Sequence, residues 1–287
     1  MKFFLSEIFR IYKKDPLKIS IIWLMDLFQS LIIAANPYII GKCIDDLLQQ
    51  KYVWLIILIN LEILWGISQA ANKWLDTRVY SRIVEEEHTS YYSRVAKTEE
   101  DSSLISARLD LVDDIPNFLE ANVLQIFNMI LGVTASLFFL YTESKAYVFW
   151  LAIVISILIP VITYPFQAQI ACNNTNYKNL DENRITSINS RDLKTYKNFV
   201  HQILYVGIQN SDLDTKIFIF THLLQTILLF TSILSIINTE KFTSGLLLST
   251  ITYIEMLNGY SSSINDNIIL IKDSVETSKR LNIKERI

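Results

Sequence analysis

Apolar residues in this chain gather into six stretches, 19–40, 52–71, 121–141, 147–167, 217–237 and 245–264, with polar segments between them. As helices, each is long enough to cross roughly 30 Å of hydrocarbon. Lys and Arg avoid all six, and only Asp26, Glu62 and Glu255 carry charge inside them. The polar segments 72–120 and 168–216 still read as helix. Residues 72–95 contain no Gly or Pro and place Trp74, Val79, Ile83 and Val84 at helical spacing. A break is expected at Thr98–Ser103, with a helix resuming at Leu104 and running through Pro116 into the third stretch. In the second excursion Asn189–Ser190 is the natural turn. Spans prolonged in this way would project arms roughly 30 Å beyond the bilayer. The fold expected is an all-α membrane protein: one domain over residues 1–287, with six transmembrane helices and long cytoplasmic helical extensions.

Charge sets the expected topology. Segments 1–18, 72–120, 168–216 and 265–287 hold 22 of the 26 Lys and Arg residues, and the gaps 41–51, 142–146 and 238–244 hold four. The positive-inside rule then puts both termini in the cytoplasm. Short outer gaps make spans three–four and five–six tight hairpins. The first apolar run is longer than a signal-peptide core and lacks a small-residue cleavage site, so it is expected to be retained. Mean hydropathy is only +0.29 because the polar arms dilute the apolar spans. The formal net charge of −3 equals the three acids within the spans, which leaves a neutral remainder and no call for nucleic acid. Cys43 and Cys172 supply neither a disulfide framework nor a zinc spacing, so no metal is expected.

The candidate chemistry lies with the three acids, because an ionisable group in hydrocarbon ordinarily faces a cavity or a partner. Asp26 shares a helical face with Gln29, Ser30, Ile33 and Pro37. It reads as a pathway carboxylate or as an interfacial acid hydrogen-bonded to a neighbouring span. Glu62 lies mid-span, flanked by Asn60, Trp65 and Gln69. Glu255 lies on the most polar stretch, with Ser249, Thr252, Asn258 and Ser262, which reads as the wall of a water-filled pathway. The three depths, within a turn or two of one another, would allow a shared cavity. No span supplies a cation to pair with them. Asp26, Glu62, Glu255 and Asn258 are the expected substrate or proton pathway. His88 and His201 are expected to be solvated, His222 interfacial, and the Glu85–Glu87 run a solvated helix face. Pro37, Pro160 and Pro165 are expected to kink their spans.

Four segments carry a resemblance: ANPYIIGKCIDDLL at 35–48 with Pro37, Gly41 and Asp45, SSLISARLDLVDDIPNFL at 102–119 with Arg108 and Asp113–Asp114, FTSGLLLSTITYIEML at 242–257, and VETSKRL at 275–281. In this order, on six spans, they resemble the transmembrane domain of ABC exporters over nearly the whole chain. The resemblance implies half of a transport pathway in a bacterial inner membrane, completed by a homodimer or a related half, for an amphipathic or cationic solute. The chain departs from that family in having no G-x-x-x-x-G-K-[ST] motif: its one Gly-Lys pair is Gly41–Lys42, and Asn36 stands where the first glycine belongs. No enzyme activity and no cofactor are therefore expected, and ATP hydrolysis would come from a separate subunit. The second excursion is also shorter than the family pattern at the turn where an ATPase would dock. That favours an ATP-independent, proton-driven carrier, similar to bacterial peptide importers of the SbmA/BacA type. A non-transporting assembly or regulatory subunit that kept the fold is the alternative of another class.

Overall fold

The computed structural model describes residues 2–95, 109, 112–182, 184–237 and 242–282. Among the described residues the secondary structure is entirely helical. The helices are α1 (Lys2–Tyr12), α2 (Pro16–Leu48), α3 (Val53–Val95), α4 (Asp114–Glu143), α5 (Ala146–Glu182), α6 (Arg184–Asn189), α7 (Leu193–Ile237) and α8 (Ser244–Asn282). Five of them contain segments long and apolar enough to cross a membrane: Pro16–Leu48, Val53–Ser93, Pro116–Glu143, Ala146–Asp181 and Leu193–Ile237. The sixth expected stretch lies in α8. Its Ser, Thr, Asn and Glu residues keep it outside that set, yet it packs against α2, α4, α5 and α7.

The polar segments continue the apolar ones without interruption. Helices α3, α5 and α7 run for 43, 37 and 45 residues. At 1.5 Å per residue these lengths are about 55–68 Å, roughly twice a hydrocarbon layer. The expected break at Thr98–Ser103, the helix start at Leu104 and Arg108 lie outside the described residues, and α4 is described from Asp114. The second turn falls where expected. Helix α6 ends at Asn189, Arg191 takes φ 51°, and Asp192 opens α7. The Asp192 carboxylate accepts from the Thr195 hydroxyl (2.6 Å), the Thr195 amide (2.9 Å) and the Lys194 amide (3.3 Å). These bonds satisfy donors that a helix start otherwise leaves unpaired, and they hold the carboxyl below its ordinary value, the Thr195 hydroxyl contributing most. Asp15 caps α2 likewise through the Lys18 amide (3.4 Å) and pairs with the Lys18 ammonium (2.7 Å), with Pro16 opening the helix.

Two large apolar clusters hold the bundle together, and Tyr91 and Val112 form a small third. At the Lys/Arg-rich end, Ile11, Ile19, Ile22, Val79, Tyr80, Ile83, Phe118 and Leu119 form one core. The other joins α4, α5, α7 and α8 through Phe139, Leu140, Val148, Ala152, Ile155, Ile159, Leu228, Tyr253, Ile254 and Leu257. Helix α1 is an element that the sequence reading treated only as a charged lead-in. It buries Ile11, and its Arg10 grips the Glu87 carboxylate with two bonds of 2.7 and 2.8 Å, while Lys14 adds a third at 2.6 Å. The Glu85–Glu87 run is therefore not simply a solvated face: Glu87 is buried and docks α1. His88 is not simply solvated either, because it pairs with Asp113 at the entry to α4.

Candidate solute and proton pathway

Helix α8 is positioned by two close approaches. A Cβ on Gly245 would lie 1.9 Å from the Gly41 carbonyl oxygen, so here the α2 and α8 backbones touch. Asp45 seals the crossing, accepting from the Gly245 amide (2.9 Å) and the Thr243 hydroxyl (2.8 Å). The 35–48 and 242–257 segments, far apart in sequence, thus form one joint. On the next helix, a Cβ on Gly132 would lie 2.1 Å from the Tyr260 ring, so the ring lies against the α4 backbone. Polar side chains of α8 also reach carbonyls beside the prolines. Ser249 donates to Pro37 (2.8 Å), Tyr253 to Ala34 (3.0 Å) and Asn265 to Pro160 (2.8 Å).

Held in this way, α8 presents Glu255 to a groove of about 400 Å³, lined also by Gln125, Thr252, Met256, Gly259, Tyr260 and Ser263. Glu255 is exposed, and among the described residues it has no hydrogen-bond or ion-pair partner. Gly259 keeps the groove open, since a Cβ there would meet nothing within 4 Å. Asn258 is not part of this lining. It is half-buried and donates to the Gln225 side chain of α7 at 2.8 Å.

Asp26 lies elsewhere. It is 3% exposed and accepts from the Asn72 side chain at 2.6 Å. Gln29 and Ser30 are buried on the same face of α2, as the periodicity predicts, and Asp76 is buried one turn beyond Asn72. Gln29 Nε2, Ser30 Oγ, Asn72 Oδ1 and Asp76 Oδ1 have no hydrogen-bond partner among the described residues. Buried polar groups of this kind are costly unless water meets them, so the cluster has the chemistry to hold water beside two carboxyls. Asn72 and Asp76 escaped the sequence reading because they fall just past the second apolar stretch, on what reads as a solvated arm. Their four-residue spacing was the available signal.

Glu62 is exposed on α3 and accepts from the Asn36 side chain at 3.1 Å. The expectation of one cavity holding all three acids needs correction. Asn36 is ten residues from Asp26 along α2, and Asn72 is ten from Glu62 along α3. That separation is about 15 Å. Glu255, two residues beyond Tyr253 and six beyond Ser249, falls between the levels of Glu62 and Asp26, and neither of them lines its groove. Span ends read from hydropathy alone compress these depths. Two of the acids are matched by neutral amides, consistent with spans that contain no Lys or Arg.

The family model of the ABC transporter transmembrane region matches residues 7–245. The chain belongs to this ABC transmembrane family. The match runs from α1 into the first turn of α8 and takes in all five apolar segments. No curated protein matches the sequence significantly. Family membership and the apolar helices together make this a multi-pass membrane protein of transport type. The α8 side of the Glu255 groove lies beyond the matched residues, with Gln125 alone inside them, so its assignment rests on this chain's own geometry. Within the ABC transmembrane family scaffold, the Gly41–Gly245 joint fixes where α8 enters the bundle and therefore where the groove opens.

Proposed function

We propose that the protein is the transmembrane half of a transporter that moves a cationic or amphipathic solute along α8, past Glu255. The observation that carries this reading is a carboxylate on the most polar helix, without a partner among the described residues and facing a groove of about 400 Å³. A carboxylate so placed can take a cationic group or a proton from one side and release it to the other. In this reading α8 is the sixth span, both termini are cytoplasmic, and the membrane is a bacterial inner membrane. Two copies, or one copy with a related half, enclose the pathway. Residues 1–287 carry no P-loop, so ATP, where it is used, is hydrolysed outside these residues. The short second excursion favours proton drive, with Glu255 as the carrier and the Asp26–Asn72–Asp76 cluster conducting protons at the Lys/Arg-rich end.

The test is uptake of a cationic amphipathic peptide into liposomes that contain the purified protein alone under an imposed pH gradient. Uptake should follow the gradient, and Glu255→Gln should abolish it while the variant stays folded. Uptake unchanged by Glu255→Gln would overturn the assignment of that carboxylate. Uptake that needs an added ATPase would overturn proton drive and leave the split ABC arrangement.

A further inference from the structure

A second groove, of about 290 Å³, lies at the Lys/Arg-rich end of α2 and α3. Four cations rim it: Lys14, Lys18, Arg78 and Arg82. Only two acids share the lining, Asp15 and Glu86, which leaves the groove an excess of two positive charges. Lys18 is matched to Asp15 at 2.7 Å, Arg82 to Glu86 at 3.2 Å, and Lys14 to Glu87 at 2.6 Å. Arg78 is different. Its guanidinium lies 4.2 Å over the Trp74 ring and donates to the Trp74 carbonyl at 3.0 Å, and no carboxylate of the described residues faces it. Leu75, Val79 and Ile83 supply an apolar floor beneath these charges.

The position is specific. Lys18 immediately precedes the first apolar stretch, and Trp74 stands three residues beyond the second, so the groove sits at the bilayer boundary. Trp74, Ile67 and Ile63 follow one another on one face of α3 and are 59%, 62% and 55% exposed. This apolar strip leads from the groove along the membrane-crossing part of the helix. An interfacial basic groove that opens onto an apolar strip has the chemistry for a headgroup phosphate with its acyl chain alongside. A fully soluble anion would use the charges and leave the strip unused.

We infer that this groove is a binding site for an anionic phospholipid, whose phosphate is held by Arg78 and Lys18 and whose acyl chain lies along Trp74, Ile67 and Ile63. The site is independent of the solute pathway and of the energy source. It stabilises the docking of α1 and α2 on α3 where the bilayer meets water.

Titration of the full-length protein in zwitterionic detergent with acyl-labelled phosphatidylglycerol tests this directly. Arg78→Gln should weaken binding about fivefold and Arg78→Gln/Lys18→Gln about 25-fold, following the usual contribution of each basic residue at an anionic surface. Arg78→Lys should retain most of the binding, which separates loss of charge from loss of fold. Lys51→Gln, an exposed cation at the other end of α2, should change nothing. Equal affinity of the wild type and the double variant would overturn the site, as would equal affinity for phosphatidylcholine. Displacement of the labelled lipid by inorganic phosphate or glycerophosphoglycerol as readily as by unlabelled phosphatidylglycerol would overturn the lipid assignment in favour of a soluble phosphate.

Discussion

Gly245→Ala tests the joint that positions α8. The new Cβ would stand 1.9 Å from the Gly41 carbonyl oxygen and 2.7 Å from Asp45 Cγ. The first obstacle is backbone and cannot rotate away, so α2 and α8 must separate by roughly 1.5 Å to reach ordinary contact. Overpacking of this kind costs about 1–3 kcal/mol. Separation also stretches the Gly245 amide bond to Asp45 (2.9 Å) and the Ser249 bond to Pro37 (2.8 Å). Each of these contributes on the order of 1 kcal/mol. The better helix propensity of alanine returns at most ~1 kcal/mol. The expected net loss is therefore about 2–4 kcal/mol. Gly207→Ala provides the control: its Cβ would meet nothing within 4 Å, so it should be neutral or stabilising by up to ~1 kcal/mol. Equilibrium unfolding in mixed micelles with increasing denaturing detergent, followed by tryptophan fluorescence, reads both values. If Gly245→Ala proves no less stable than Gly207→Ala, the close crossing is not what holds α8 in place.

Three further outcomes follow from the same geometry. Gly259→Leu should be neutral or stabilising by up to ~1 kcal/mol, because its position is open, yet should fill the Glu255 groove and cut liposome uptake sharply; full uptake would show that the solute passes elsewhere. Asn72→Leu removes the 2.6 Å donor to buried Asp26 and should cost on the order of 3 kcal/mol, whereas Asp26→Leu/Asn72→Leu should recover most of that stability; a double variant as unstable as the single would refute the pairing. The Asp192 cap predicts acid sensitivity of the α6–α7 turn. Its folded carboxyl titrates below the unfolded value, so its contribution is complete above about pH 4 and is lost as pH falls through the lower folded value. Pepsin cleavage at residues 190–197 should accordingly rise toward low pH relative to Asp192→Asn, and a constant ratio would refute it.

What could be read from the sequence followed from strong periodic signals. The apolar stretches and their unbroken polar continuations were legible because charge avoidance and helical spacing are enforced along tens of residues. The Asn189–Ser190 turn was legible from local chemistry. The resemblance of residues 35–48 and 242–257 to ABC exporter segments acquired a physical meaning only in three dimensions, where Gly41, Asp45 and Gly245 meet. Side-chain pairing was illegible wherever it crosses between helices. Glu87 reads as one of three solvated acids, yet Arg10, 77 residues away, makes it a dock. Asp76 reads as part of an arm, yet it is buried beside the Asn72–Asp26 pair. Nor could the separation of Asp26 from Glu62 be read, because span ends inferred from hydropathy slip by several residues and each slip moves a side chain 1.5 Å in depth.

The exposure of Glu62 bears on what surrounds a single copy. Its carboxylate sits midway along the second apolar stretch, and none of the apolar window of α3 is buried within the chain. Apolar residues on that face could meet lipid at no cost, but an acid cannot. At the bilayer centre an uncompensated charge costs about 3 kcal/mol on insertion scales and more on an isolated helix. One amide donor from Asn36 at 3.1 Å offsets only part of this, since a carboxylate has acceptor capacity for several bonds. Asn60, one turn earlier on α3, turns its amide back to the Ile56 carbonyl and gives Glu62 no help. The α3 face therefore needs a polar covering that the described residues do not supply. A second half packed against α3 would provide it. Exposed Glu62 on α3 and exposed Glu255 on α8 thus each point to a completing half.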